Sequence, residues 1–89
     1  MELQDKIVVI TGAGSGIGRA LAVRFHAEGA KKIVAVDINL NNAQDTADMV
    51  NGIAMMADVA KEDDISRVID ETEANIGAID LFCSNAGVA

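Results

Sequence analysis

The chain has 89 residues, 51% apolar and 24% charged, the scale and composition of one small globular domain or a piece of one. A formal net charge of −7 argues against a nucleic-acid backbone as partner and reads as a solvated acidic surface. The single cysteine, Cys83, excludes an internal disulfide, and no apolar run is long enough to cross a bilayer.

The first six residues, Met1 to Lys6, have the make-up of neither a signal nor a transit peptide. Together with the lone cysteine, this gives the expectation of a reducing, cytoplasmic setting. The chain has no Pro, Trp or Tyr, and Phe25 and Phe82 are its only aromatic residues, so the core must rest on Val, Ile, Leu, Met and Ala. Lys6 to Thr11 carries an uninterrupted Ile-Val-Val-Ile run, which suits a parallel strand buried on both faces. A glycine-rich turn follows, and then a helix expected from Gly16 to Glu28, with Ile17, Ala20, Leu21 and Phe25 on one face and Gly29 as its stop.

Ile33 to Asp37 reads as a second strand. Asn39 is a natural N-cap for a second helix, with Leu40, Ala43, Ala47 and Val50 facing inward and Gly52 ending it. A third strand is expected over Ile53 to Ala57, closed by Asp58. A third helix is expected over Lys61 to Asn75, with Glu62, Asp63 and Asp64 complementing the dipole of its first turn. Ile65, Val68, Ile69, Thr72 and Ile76 form its apolar stripe, and Ile79 to Ser84 reads as a fourth strand. Met49, Met55 and Met56 read as core filler, Cys83 as a small buried hydrophobe, and His26 as a residue at a helix surface. No cluster of Cys and His suggests a metal.

The alternation β-α-β-α-β-α-β argues for a parallel sheet with helices on its faces. Chemistry concentrates in Thr11-Gly12-Ala13-Gly14-Ser15-Gly16-Ile17-Gly18. Glycines let a backbone approach a phosphate closely, and the unpaired amides of a first helical turn point at it. The common dinucleotide frame G-x-G-x-x-G or G-x-G-x-x-A fails from Gly12, where Ile17 stands at its end, and from Gly14, where Arg19 does. A Walker A loop fails as well, for want of Lys-Ser or Lys-Thr. What fits is T-G-x-x-x-G-x-G.

That pattern resembles the short-chain dehydrogenase/reductase family. Asp37 at the end of the second strand, Asp58-Val59 after the third and Asn85-Ala86-Gly87 after the fourth carry the resemblance along the whole chain. It implies a partial Rossmann fold, a doubly wound parallel α/β sheet of strand order 3-2-1-4, within a single dinucleotide-binding domain over residues 1–89 that is incomplete at its C-terminus. The first two helices would then cover one face of the sheet and the third the other. The ligand site would lie at the switch point between strands one and four.

By the same resemblance Gly12, Gly16 and Gly18 approach the cofactor pyrophosphate, with Ser15 and the amide of Ile17 bonding along it. Asp37 receives the adenosine ribose hydroxyls. Family members that use NADP usually carry a basic residue at the position of Ser15 or Ile38, so this chain is expected to take NAD in preference to NADP. Asp58-Val59 reads either as the adenine contact or as a cap on the following turn. Asn85 reads either as a brace of the sheet or as a ligand contact, with Ala86 and Gly87 beside the nicotinamide-side ribose.

The resemblance further implies reversible alcohol-to-carbonyl hydride transfer on a small-molecule substrate, using a Ser, a Tyr and a Lys. This chain has no Tyr, so no residue is assigned as general acid or base, and the chain alone is expected to be inactive. A second reading is an inactive nucleotide-binding or interaction module that self-associates through an open fourth strand. On either reading the face under the third helix is expected to leave apolar surface of strands one and four exposed.

Overall fold

The computed structural model describes residues 2–85. The elements are β1 (Ile7–Thr11), α1 (Gly16–Ala27), β2 (Lys32–Asp37), α2 (Leu40–Met49), β3 (Ile53–Met56), α3 (Glu62–Asn75) and β4 (Leu81–Cys83). The four strands form one parallel sheet in the order β3-β2-β1-β4, as the alternation and the resemblance imply. Val9 sits at the centre of the register, opposite Val34 on one side and Phe82 on the other. Every side chain of β1 is buried, which is what a strand between two parallel neighbours and two covered faces requires.

The core lies in two layers. On one face Val8, Ile10, Ile33 and Ala35 of the sheet meet Ala22 of α1 and Ala47 of α2, with Leu21 and Phe25 closing the side. On the other face Val9, Val34 and Val36 meet Val68 of α3, flanked by Met55, Phe82, Ile76 and Ile79. Small residues let α1 and α2 lie close to the sheet, and the β-branched strand residues fill the space between.

Several local expectations are corrected. In α1 the inward residues are Gly18 and Ala22, with Leu21 and Phe25 beside them. Ile17 is 69% exposed and Ala20 is exposed. At the first turn the helix faces the glycine loop rather than the sheet, so a side chain there projects away from the core. In α2 the buried residues are Ala43, Thr46 and Ala47, and Leu40 at the first position is exposed. Met49 and Met56 lie on the surface, because α2 ends and β3 forms an edge there, and of the three methionines only Met55 packs against the core.

The helix ends show which residues stop the chain. Gly29, at φ 93°, closes α1 with Gly29 N–H donating to His26 O and Ala30 N–H to Phe25 O, a Schellman pair. At α2 the left-handed position is Asn51, at φ 51°, not Gly52. Gly52 N–H donates to Ala47 O, and a Cβ at Gly52 would stand 2.3 Å from Ile33 O. Gly52 is therefore a close-packing glycine and Asn51 is the cap. Asn39 caps the other end of α2 as expected, its side chain accepting from Asn42 N–H at 3.1 Å.

β4 is shorter than its apolar run. Asp80 lies in the bend before it and brackets Ile7: Asp80 N–H donates to Ile7 O, and Ile7 N–H donates to Asp80 Oδ2, both at 2.9 Å. The expected exposure of strand one is also corrected, whereas that of strand four holds in part. β1 is buried and β4 half-buried, because α3 and the following Ile76 and Ile79 reach across that face. The exposed apolar strand residues are instead Ile53 and Met56, on the edge strand β3.

Candidate functional site

The parallel order brings the C-terminal ends of all four strands to one side of the molecule, and a cleft of about 560 Å³ opens there. It is lined by Gly12, Ser15, Ile17, Asp37, Ile38, Ala57, Asp58, Val59, Ala60 and Asn85. Its volume lies within the range of small-molecule sites. Gly12, Ser15, Ile17, Asp37, Ile38, Asp58, Val59 and Asn85 are thus gathered in one place from four separate turns. Ala86 and Gly87 lie outside the described residues. No group of His, Cys, Asp and Glu able to hold a metal occurs among the described residues.

The glycines of the first turn do different jobs. Gly12 and Gly16 hold φ of 64° and 55°, conformations that cost a side-chain-bearing residue energy. A Cβ on Gly16 would meet nothing within 4 Å, so open space adjoins the start of α1. Gly18 lies behind the cleft, and a Cβ there would stand 2.1 Å from Gly12 O. It lets the helix seat directly on the turn. Gly14, which the T-G-x-x-x-G-x-G pattern leaves unassigned, is equally constrained: a Cβ would meet Asn42 Cβ and Asp37 Oδ2, each at 2.7 Å.

Asp37 is held rigidly. Its Oδ2 accepts from Gly14 N–H at 2.9 Å and its Oδ1 from Asn39 N–H at 3.0 Å. The carboxylate therefore ties the glycine turn to the start of α2 while it forms part of the cleft wall. A carboxylate has about four acceptor positions, so these two bonds leave capacity for hydroxyl donors. Ser15 is the N-cap residue of α1, but its side chain makes no capping bond, and the amides of the first turn keep no partner within the helix.

Asp58 makes a local turn, its Oδ1 accepting from Ala60 N–H at 2.9 Å, and Asp58 N–H donates to Asp64 Oδ2 at 2.9 Å. The N-cap of α3 is Lys61, which supplies no side-chain cap. The capping role weighed for Asp58 is thus present, and the residue also lines the cleft. Asn85 N–H donates to Thr11 Oγ1 at 2.9 Å, and that hydroxyl donates to Cys83 O at 3.3 Å. The Thr11 side chain, fully buried, fixes the segment after β4 against the end of β1. Cys83 is half-buried, and desolvation raises its thiol pKa above the ordinary value, in keeping with a structural role.

The site contains residues that sequence reading missed. Thr46 is fully buried in α2 and its hydroxyl donates to Ala13 O at 2.6 Å. Arg19 follows the last glycine and reaches across to α2. Thr46 stands on the inward side of α2, one position from Ala47, a placement that the helical period could have flagged.

The family model for short-chain dehydrogenases matches residues 6–89. The chain belongs to this family. Against tropinone reductase-like 1 of Erythroxylum coca it is 41% identical over 88 residues, covering 97% of this chain and 32% of that protein. A hydroxysteroid dehydrogenase of Escherichia coli superposes with a TM-score of 0.85 at 34% identity, over 97% of this chain and 38% of that one. A ribose-5-phosphate isomerase of Brucella melitensis 16M superposes with a TM-score of 0.91 at 33% identity, over 98% and 34%. The chain thus spans about a third of the length of these relatives and neighbours. Members of the family normally bind a nicotinamide dinucleotide, NAD or NADP.

Proposed function

We propose that these 89 residues form the NAD-binding portion of an oxidoreductase that interconverts alcohols and carbonyls. The observation that carries the reading is Asp37, a carboxylate fixed by two backbone amides in the wall of a cleft whose other charged lining residue is Asp58. Such a carboxylate accepts ribose hydroxyls and repels a 2′-phosphate. No Lys, Arg or His is among the lining residues to neutralise that phosphate.

The remaining residues fit the same ligand. Open space beside Gly16 leaves room for a pyrophosphate, and the uncapped first turn of α1 offers amide donors and the positive end of its dipole. Ser15 supplies a hydroxyl, while Ile17, Ile38 and Val59 supply apolar walls. Asp58 and Asn85 complete the two ends. When bound, the nicotinamide supplies the hydride chemistry, and the chain's own part is to hold and orient it. Proton transfer is assigned to no residue of this chain, which has no Tyr. On this reading the 89 residues bind the dinucleotide and oxidise no alcohol by themselves.

Ligand-induced stabilisation tests the reading, because a ligand that binds only the folded state raises the unfolding midpoint. NAD is expected to raise it at concentrations where NADP does not. Asp37→Asn keeps an acceptor for Gly14 N–H but removes the charge. It is expected to cost about tenfold in NAD affinity and to narrow the gap to NADP. Equal stabilisation by the two dinucleotides in the unaltered chain would refute the assignment of Asp37.

A further inference from the structure

Arg19 stands at the start of the helix on which a dinucleotide pyrophosphate is proposed to rest, and its guanidinium is engaged by the protein itself. Its NH2 donates to Gly14 O at 2.6 Å and to Asn42 O at 3.3 Å, and its Nε donates to Thr46 Oγ1 at 2.9 Å. Thr46, fully buried, passes the link on by donating to Ala13 O at 2.6 Å. Two consecutive carbonyls of the glycine turn are therefore held, Gly14 O by a charge-assisted bond from Arg19 of α1, whose guanidinium is itself anchored on α2, and Ala13 O by the buried Thr46 hydroxyl of α2.

Glycine carries the largest backbone entropy of any residue, and residues 12–18 contain four of them. A turn of that composition left unbraced would have to be ordered by its ligand, at the ligand's expense in affinity. The planar trans peptide adds a directional effect, since its C=O and N–H point opposite ways. Arg19 holds Gly14 O toward α2, so the amide of Ser15, in the same peptide unit, is turned away from α2. Ser15 lines the cleft. In the neighbouring unit Thr46 holds Ala13 O and Asp37 holds Gly14 N–H.

We propose that Arg19, acting through Gly14 O and in concert with Thr46, is a positioning residue that presets the glycine turn for the pyrophosphate without touching it. The inference rests on the proposed function and deepens it. The arrangement separates two parts of one ligand: Asp37 serves the adenosine end, and the Arg19–Thr46 brace serves the diphosphate. Removal of the brace weakens ligands in proportion to how much of the diphosphate they carry, and leaves the nucleoside nearly untouched.

The test compares NAD, ADP and adenosine by NMR titration of the full chain, with urea unfolding run on every variant. Arg19→Met keeps the aliphatic stem and removes the fork. It is expected to weaken NAD and ADP about tenfold and adenosine by less than about twofold. Arg19→Lys reaches one acceptor instead of three and recovers part of the loss. Thr46→Val, altered at the far end of the link, shifts the ADP-to-adenosine affinity ratio in the same direction. A purely structural role would lower stability and leave that ratio at its unaltered value.

If Arg19→Met does not fold, the ratio in Arg19→Lys and Thr46→Val decides. An unchanged ratio in both overturns the positioning role while the unaltered chain still binds NAD. Failure of the unaltered chain to bind NAD overturns the functional reading and this inference together.

Discussion

At the residue scale, the glycine turn separates two reasons for the same side chain. Gly16 is glycine for its backbone angle, with open space where a Cβ would go, whereas Gly18 is glycine because Gly12 O stands 2.1 Å from that position. Gly16→Ala is therefore expected to cost about 1 kcal/mol of stability and to obstruct ligand. Gly18→Ala must push α1 off the turn, at a cost of roughly 3 kcal/mol or more. Urea unfolding with and without NAD distinguishes the two: Gly16→Ala should lose ligand stabilisation out of proportion to its own small cost. The spacing of these glycines was legible in the sequence; their division of labour was not, because a pattern records identity and not what faces the missing side chain. Gly14 and Arg19 escaped for the same reason, since both act on residues of a helix more than twenty positions away.

At the scale of elements, the uninterrupted β-branched runs and the alternation of strands with helices gave a parallel sheet with helices on its faces, while its order and the sidedness of α1 and α2 against α3 came from the family resemblance. What periodicity misjudged were the first turns. Ile17 and Leu40 fall on apolar stripes by count, but each stands where its helix has not yet reached the sheet, and both are exposed. The C-terminus of α2 was misjudged by one residue, because Gly is the usual left-handed cap and here Asn51 takes that role. This gives a paired expectation by calorimetric unfolding. Asn51→Gly should be neutral or stabilising by up to about 1 kcal/mol, as strain at φ 51° is relieved. Gly52→Ala should destabilise by roughly 2 kcal/mol, since its Cβ would stand 2.3 Å from Ile33 O. A reversed order would place the cap at Gly52 after all.

At the scale of the whole molecule, the fold matters because it makes four turns, far apart in sequence, into one wall. β1 delivers the glycine turn, β2 delivers Asp37, β3 delivers Asp58 and Val59, and β4 delivers Asn85 through the buried Thr11 hydroxyl. The opposite end of the sheet is fastened separately by Asp80 on Ile7, so the two ends can be perturbed independently. A map of amide chemical shifts on addition of NAD asks directly whether this wall is the dinucleotide site. Saturable shifts are expected at Gly12, Ser15, Ile17, Asp37, Asp58 and Asn85, with Lys6, Lys32 and Gly77 at the far end unmoved, and no comparable response to NADP at the same concentration. Shifts absent from the cleft, or centred on the far end of the sheet, would contradict it.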